Sequence, residues 1–521
     1  MSAHLLVWPI VLPLVVGALQ LLLGERRRGA VALLGAASCV ALVLLAAALM
    51  LQVGTGDAVA AVYRIGDWPA RFGIVLVADR LSALMLLLTA VLALALLPCA
   101  LARWRQPGGP VQPLAQFLLM GLNGAFLTGD LFNLFVFFEV LLAASYGLAL
   151  HRPGARRVSA GMHYIVVNLL ASMLFLVGVS LIFGVTGTLN MAALAKLVPQ
   201  VPQNTRALLH AGAAILGIAF LVKAAMWPLG FWLPRTYAAA PAPVAAMFAV
   251  MTKVGVYVLL RLSLLLFGGD AGAASAHFGA EWLLWGGVAT VAVGVVGMLG
   301  ARELGKLAGY NVLVSSGSLL GAIGLQQPAV TAGALAYLVI STLAIAAFFL
   351  LAGLIAPRED TDGASLLEPY DPAGMALYAD EDESHATVPA PVALLGLCFL
   401  ACALVLAGLP PLSGFLAKFA LLAPMLEAGP RVGAGAATLF TLVVVAGFCT
   451  VVAMCRTGIQ IFWADEDWVF PAIRRGEAAS VVILLALCLG LTVLAEAPLR
   501  YVAETAAQLH APSRYIQAVL P

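Results

Sequence analysis

Phe220-Leu-Val-Lys223-Ala-Ala-Met-Trp227-Pro228-Leu-Gly230-Phe-Trp-Leu-Pro234 is the stretch on which the reading of this 521-residue chain turns. It has the composition of a membrane helix, yet it carries a lysine at depth and is then interrupted by two prolines and a glycine. A lysine at the centre of a membrane helix costs roughly 2.5–3.5 kcal/mol on insertion scales. Proline removes a backbone donor where no water replaces it. A chain accepts both together mainly where a broken helix borders a polar cavity or an ion path.

The surrounding sequence supplies the membrane setting. Hydrophobic residues make up 63% of the chain, charged residues only 10%, and the mean hydropathy is +1.05. Those values exclude an ordinary soluble domain and point to an all-α polytopic membrane protein. A net charge of +2 spread over short loops carries no sign of nucleic-acid binding. The seven cysteines lie in or beside apolar segments, without the Cys-x-x-Cys spacing of a metal site, and read as structural thiols.

With about 20 apolar residues per span, fourteen segments qualify. They are 4–23, 30–52, 78–101, 112–129, 131–150, 160–184, 207–236 (broken), 242–267, 281–300, 306–325, 330–355, 388–424 (broken), 434–462 and 477–497. Asp130 makes a very tight connection between the fourth and fifth. The first segment has its basic cluster, Arg26–Arg28, after it rather than before it, as in an uncleaved helix whose N-terminus is outside. Most arginines of the short loops fall in alternate loops, and so on one side of the membrane, which predicts both termini outside. The longest polar insertion, Pro357 to Thr387, is acidic and predicted on the inner side, where it reads as a solvated loop or a partner-docking surface.

Two spans are interrupted alike, the seventh at Trp227-Pro228-Leu-Gly-Phe and the twelfth at Leu409-Pro410-Pro411-Leu-Ser-Gly414-Phe415. Each break has a lysine nearby, Lys223 before the first and Lys418 after the second. Interrupted helices at corresponding places in two halves suggest a repeat architecture with an ion path between the repeats.

Two more charges stand where the bilayer makes them costly. Glu139 lies in Asn133-Leu-Phe-Val-Phe-Phe-Glu139-Val, with Tyr146 two turns on, and Lys223 is its expected partner. A carboxyl and a lysine that gain or lose one another's field can exchange a proton cheaply; the bland alternative is an ion pair that only locks two helices. Lys253 lies in Met251-Thr252-Lys253-Val-Gly-Val-Tyr257, where Tyr257 offers a hydroxyl one turn away. Glu139, Lys223, Lys253 and Lys418 together read as a proton relay. His163, near Arg156 and Arg157, is a candidate for proton uptake at the inner end or a plain interfacial histidine. Asp79 and Arg80 read as a local interfacial pair. No catalytic or metal-ligating constellation and no nucleotide-binding loop stands out.

These same segments carry a resemblance. Lys223-Ala-Ala-Met-Trp-Pro-Leu-Gly-Phe-Trp-Leu-Pro234, Thr252-Lys253-Val-Gly-Val-Tyr257 and Pro411-Leu-Ser-Gly-Phe-Leu-Ala-Lys418 resemble the antiporter-like membrane subunits of respiratory complex I. They resemble more closely the D subunit of Mrp-type (also called Pha-type) multisubunit cation/proton antiporters. Asn133-Leu-Phe-Val-Phe-Phe-Glu139-Val and Gly184-Val-Thr-Gly-Thr-Leu-Asn190-Met-Ala are similar to that subunit. The resemblance implies fourteen transmembrane helices in a bacterial inner membrane. It also implies two inverted five-helix repeats, over 112–270 and 271–465, between N-terminal helices at 1–111 and a C-terminal helix and tail at 466–521. Glu139, Lys223, Lys253 and Lys418 match the family's ion-translocating residues, and Pro228, Pro234, Pro411 and Gly414 fall at the helix breaks. No cofactor is implied. The implied partners are other antiporter subunits, protons and Na⁺ or K⁺.

The chain departs from these relatives in two places. Complex I subunits show Ser-x-Ser-His where this chain has Val314-Ser315-Ser316-Gly317, which favours the Mrp-type D subunit. Relatives also carry a histidine in the eleventh span, and Tyr337-Leu-Val-Ile340-Ser341-Thr342 has none. Either water held by Ser341 and Thr342 crosses that relay gap, or the path stops short of Lys418. The expected function is proton translocation within a Na⁺(K⁺)/H⁺ antiporter. The alternatives are a proton-pumping membrane-arm subunit of a redox complex and a scaffold that transports nothing.

Overall fold

A computed structural model of the chain describes residues 3–55, 60–69, 73–103, 110–151, 154–355, 390–427, 433–462 and 474–520. The acidic insertion from Pro357 to Thr387 lies outside them. An apolar backbone in lipid must satisfy its own polar groups, and the chain does so with helices. They are α1 (Trp8–Leu23), α2 (Arg28–Thr55), α3 (Arg80–Arg103), α4 (Val111–Leu127), α5 (Leu131–Ala149), α6 (Ala155–Thr186), α7 (Met191–Leu197), α8 (Gln203–Lys223), α9 (Leu233–Ala239) and α10 (Ala242–Phe267). There follow α11 (Ala280–Gly300), α12 (Leu304–Leu325), α13 (Pro328–Ile355), α14 (Ala390–Ala407), α15 (Ser413–Leu426), α16 (Ala434–Phe462), α17 (Arg475–Val493), α18 (Glu496–Leu509) and α19 (Pro512–Val519).

Among the described residues, twelve helices are long and apolar enough to cross a membrane, and α1, α4 and α15 are shorter apolar helices. Each of the fourteen segments expected from hydropathy contains a helix, so the protein is a multi-pass membrane protein. The tight connection at Asp130 is real: its carboxylate caps α5, accepting from the backbone N–H of Phe132 at 2.8 Å and of Asn133 at 3.0 Å.

A helix that is apolar all round belongs in the interior, and α10 is that helix. Every residue from Pro243 to Phe267 is buried, including Lys253 and Arg261. Helices α12 and α13 are nearly as enclosed, whereas α2, α6, α8, α11, α14, α16 and α17 each keep a broad exposed face. Lys253 and Arg261 are therefore carried on the innermost helix, inside a shell of helices with exposed apolar faces.

One end of the bundle is closed by a layer that hydropathy does not reveal. Strands β1 (Ala60–Arg64) and β2 (Val75–Asp79) form an antiparallel hairpin, in register from Ala60 opposite Asp79 to Arg64 opposite Val75. The C-terminal tail is not irregular: it forms α18, which packs on α13, and α19, which folds back over the hairpin. Arg64 donates to the Val519 carbonyl (3.2 Å), and the Tyr501 hydroxyl donates to the Arg80 carbonyl (2.9 Å).

The expected Asp79–Arg80 pair is corrected here. Arg80 pairs with Glu504 of α18 at 2.5 Å. Asp79 instead takes a bidentate contact from Arg261, at 2.7 and 2.9 Å, and accepts from the Ser82 N–H. Burial opposes ionisation of Asp79, but the Arg261 guanidinium and Ser82 outweigh it and hold the carboxyl below its ordinary range.

Candidate functional site

The two helix breaks share one backbone design. Helix α8 ends at Lys223 and is followed by Ala225 in the left-handed region, with φ 56°. Helix α14 ends at Ala407 and is followed by Gly408, with φ 77°. In each, the next N–H closes back on the helix five residues earlier, Met226 to the Leu221 carbonyl and Leu409 to the Leu404 carbonyl, both at 3.0 Å. That is a Schellman-type C-cap. A cis X-Pro bond follows in both, Trp227–Pro228 and Pro410–Pro411. A glycine then lets the chain pass against the helix end it has just left. A Cβ on Gly230 would lie 2.1 Å from the Ala225 carbonyl oxygen, and one on Gly414 would lie 1.9 Å from that of Val405. Pro234 opens α9 in its first turn, where a missing N–H costs nothing.

The breaks differ in what satisfies the freed backbone. In the first, the Ser316 hydroxyl of α12 donates to the Ala224 carbonyl, and the Trp227 N–H donates to Thr290 Oγ1 of α11 at 2.9 Å. In the second, the ammonium of Lys418 itself donates to the Leu406 (3.0 Å) and Ala407 (2.7 Å) carbonyls. Aligned on the left-handed residue, Ala224 and Ala407 hold the same position. A neutral hydroxyl from a neighbouring helix meets one carbonyl, and a cation from the second half of the broken span meets the other.

Lys223 has no such anchor. It is 5% exposed, and its Nζ has no hydrogen-bond partner. The ammonium sits over the Phe138 ring, 5.0 Å from the centroid, a contact worth about 2 kcal/mol when desolvated. Glu139 is next to that phenylalanine on α5, half-buried, with Oε1 enclosed and unpartnered. Carboxylate and ammonium act on one another through space, but no direct contact joins them. The ion pair expected from sequence is therefore open.

Lys253 is fully buried and donates to the Ser315 hydroxyl of α12 at 2.6 Å. Ser315 donates in turn to Ser341 of α13 at 2.9 Å. Tyr257 is not its partner, contrary to expectation. That hydroxyl donates to the Phe126 carbonyl at 2.8 Å and accepts from Arg261 Nε at 3.0 Å, one turn farther along α10. The Thr342 hydroxyl donates to the Leu338 carbonyl of its own helix at 2.6 Å.

His163 stands on an exposed face of α6, where Nδ1 meets the Ser159 carbonyl of its own helix at 2.8 Å. The structure does not bring it to the buried charges. Sequence reading passed over Arg261, although a second cation eight residues beyond Lys253 on an otherwise apolar helix was a usable signal. It passed over Ser316 and Thr290 as well. Hydroxyls are common in membrane helices, and nothing local marks these two as backbone partners.

The family model described as "NADH:quinone oxidoreductase/Mrp antiporter, TM" matches residues 128–444, a stretch that contains both breaks and all four charges. Across 99% of its length the chain is 51% identical to the probable K⁺/H⁺ antiporter D subunit of Rhizobium meliloti (strain 1021), covering 97% of that protein. It is 34% identical to the Na⁺/H⁺ antiporter D subunit of Bacillus subtilis (strain 168), over 88% of this chain and 87% of that one. Among solved structures, a chain of the Mrp complex from Dietzia sp. DQ12-45-1b superimposes with a TM-score of 0.81 at 29% identity, with both chains fully covered.

Proposed function

The chain belongs to the NADH:quinone oxidoreductase/Mrp antiporter family of membrane proteins, and from that premise we propose that it is the D subunit of a multisubunit monovalent-cation/proton antiporter. Within the complex it carries the proton. The observation behind this reading is Lys223: a buried ammonium with no hydrogen-bond partner, at the end of a broken helix, with the Glu139 carboxylate, whose Oε1 is unpartnered, within its field. A lysine serving stability would be expected to keep its hydrogen bonds satisfied.

Protons reach Glu139 and Lys223, pass to Lys253 on the enclosed helix, and leave towards Lys418. Three lysines and a single carboxylate suit proton hopping better than coordination of a hard cation, which needs clustered oxygens. The recurrence of one break design at Ala225 and Gly408 supports two repeats, over 112–270 and 271–465. K⁺ is the proposed counter-ion of the assembled complex, since the chain is more like the relative named for K⁺ than the one named for Na⁺. The complex sits in the inner membrane with both termini of this chain outside. The partners are the other antiporter subunits. A redox-complex subunit is the weaker reading, because the likeness to antiporter D subunits extends over nearly the full chain.

The test is cation/proton exchange in membrane vesicles containing the assembled complex. Glu139→Ala and Lys223→Ala should each lower exchange at least about a hundredfold, the scale of a removed proton-transfer group. Full exchange in both variants would end this reading.

A further inference from the structure

The eleventh span lacks the histidine expected between Lys253 and Lys418, and the structure holds something else between them. Ser315 of α12 and Ser341 of α13 are both buried, and they extend the Lys253 ammonium into a run of two hydroxyls at 2.6 and 2.9 Å. Ser341 then lines a cavity of about 20 Å³ with Asn311, Tyr337, Leu406, Gly414 and Thr450. A cavity of that size holds about one water molecule when polar groups line it. Leu406 of that lining has a carbonyl that accepts from Lys418 Nζ at 3.0 Å. Two hydroxyls and a partly apolar cavity thus lie between Lys253 and the backbone that Lys418 contacts, across α12, α13 and the break between α14 and α15.

We infer that Ser315 and Ser341 are the proton carriers that join Lys253 to Lys418, with one water in the cavity as the last link; this rests on the proton path proposed above. The transfer balances hop by hop. The Lys253 ammonium passes a proton to Ser315 Oγ as the Ser315 hydroxyl proton moves to Ser341 Oγ. The Ser341 proton moves to the water, and a water proton moves to the Lys418 amine. Lys253 is left as a neutral amine, Lys418 becomes an ammonium, and both serines and the water are restored. Before the pass Ser341 must turn its hydroxyl from the Leu338 carbonyl, and after it both hydroxyls rotate back to their starting acceptors. At 3.3 Å the bond to Leu338 is the weakest contact of the run. Thr342 takes no part, being committed to its own helix.

The experiment measures K⁺- and Na⁺-driven proton exchange in vesicles bearing the assembled complex, with complex abundance measured alongside. Ser315→Ala and Ser341→Ala should each slow exchange at least about fivefold, the scale of one lost hydrogen bond in the transition state. Ser315→Thr, which keeps the hydroxyl, should restore most of the rate, and Thr342→Val should leave it unchanged. Where Ser315→Ala assembles poorly, Ser341→Ala reads the same link. Full-rate Ser315→Ala and Ser341→Ala beside an inactive Lys223→Ala would overturn the bridge and leave the path standing. Full rate in all three would overturn the path itself. Equal slowing in Ser315→Thr and Ser315→Ala would make the role one of packing and would also overturn the inference.

Discussion

The first and second helix breaks share a backbone and differ in where the positive charge stands. Lys223 precedes the left-handed residue by two positions, and Leu406 holds that place in the second break. Lys418 follows the left-handed residue by ten, and exposed Arg235 holds that place in the first. The consequence is electrostatic. Lys418 is folded against the C-terminal carbonyls of α14, where the helix dipole and two charge-assisted hydrogen bonds offset its desolvation. Lys223 receives a ring face and the field of a carboxylate it does not hydrogen-bond. A shared fold thus supplies one clamped lysine and one loosely held lysine, and the loosely held one is the better candidate for a charge that comes and goes.

The largest expected effect comes from removing the two lysines and reading stability instead of transport. Lys418→Leu leaves two buried carbonyls unpaired, at about 1–3 kcal/mol each. It should lower the melting temperature of the detergent-solubilised complex. Lys223→Leu strips no protein group of a hydrogen bond and should melt at or above the parent, although exchange is lost. Equal destabilisation by both would erase the contrast between the breaks.

Ser316→Ala should have the next largest effect. It strips the Ala224 carbonyl of its partner and should cost about 1–3 kcal/mol, read by the same melting assay. A melting temperature equal to the parent's would show that the first break does not depend on its neighbour. The smallest effect is a gain. Ala225 adopts a left-handed conformation that costs a non-glycine residue about 1 kcal/mol. Ala225→Gly should therefore raise the melting temperature slightly, making the first break more like the second.

Much of the scaffold was legible because the bilayer imposes a simple rule: a long apolar run must be a helix. Proline and glycine marked both breaks for equally local reasons, and lysine at depth marked three of the charges. What stayed hidden was the choice of partner across the fold. Asp79 finds Arg261 182 residues away rather than its neighbour Arg80. Lys253 turns to Ser315 on another helix rather than to Tyr257 on its own. A hydrophobicity profile contains none of that. The tail was missed for a different reason. Helices α18 and α19 are short and only one-sidedly apolar, so they look like solvated chain until the surfaces they cover, α13 and the hairpin, are known.

The complete enclosure of α10 has a consequence for how the membrane itself can act on this protein. A lipid tail touches the shell helices and never the helix that carries Lys253 and Arg261. Bilayer thickness, fluidity and headgroup charge bear first on the tilt and spacing of that shell. They reach the central charges only as small changes in the distances between α10, α12 and α13. The protein brings its own solvent into the membrane, and the conducting groups respond to that solvent rather than to the lipid.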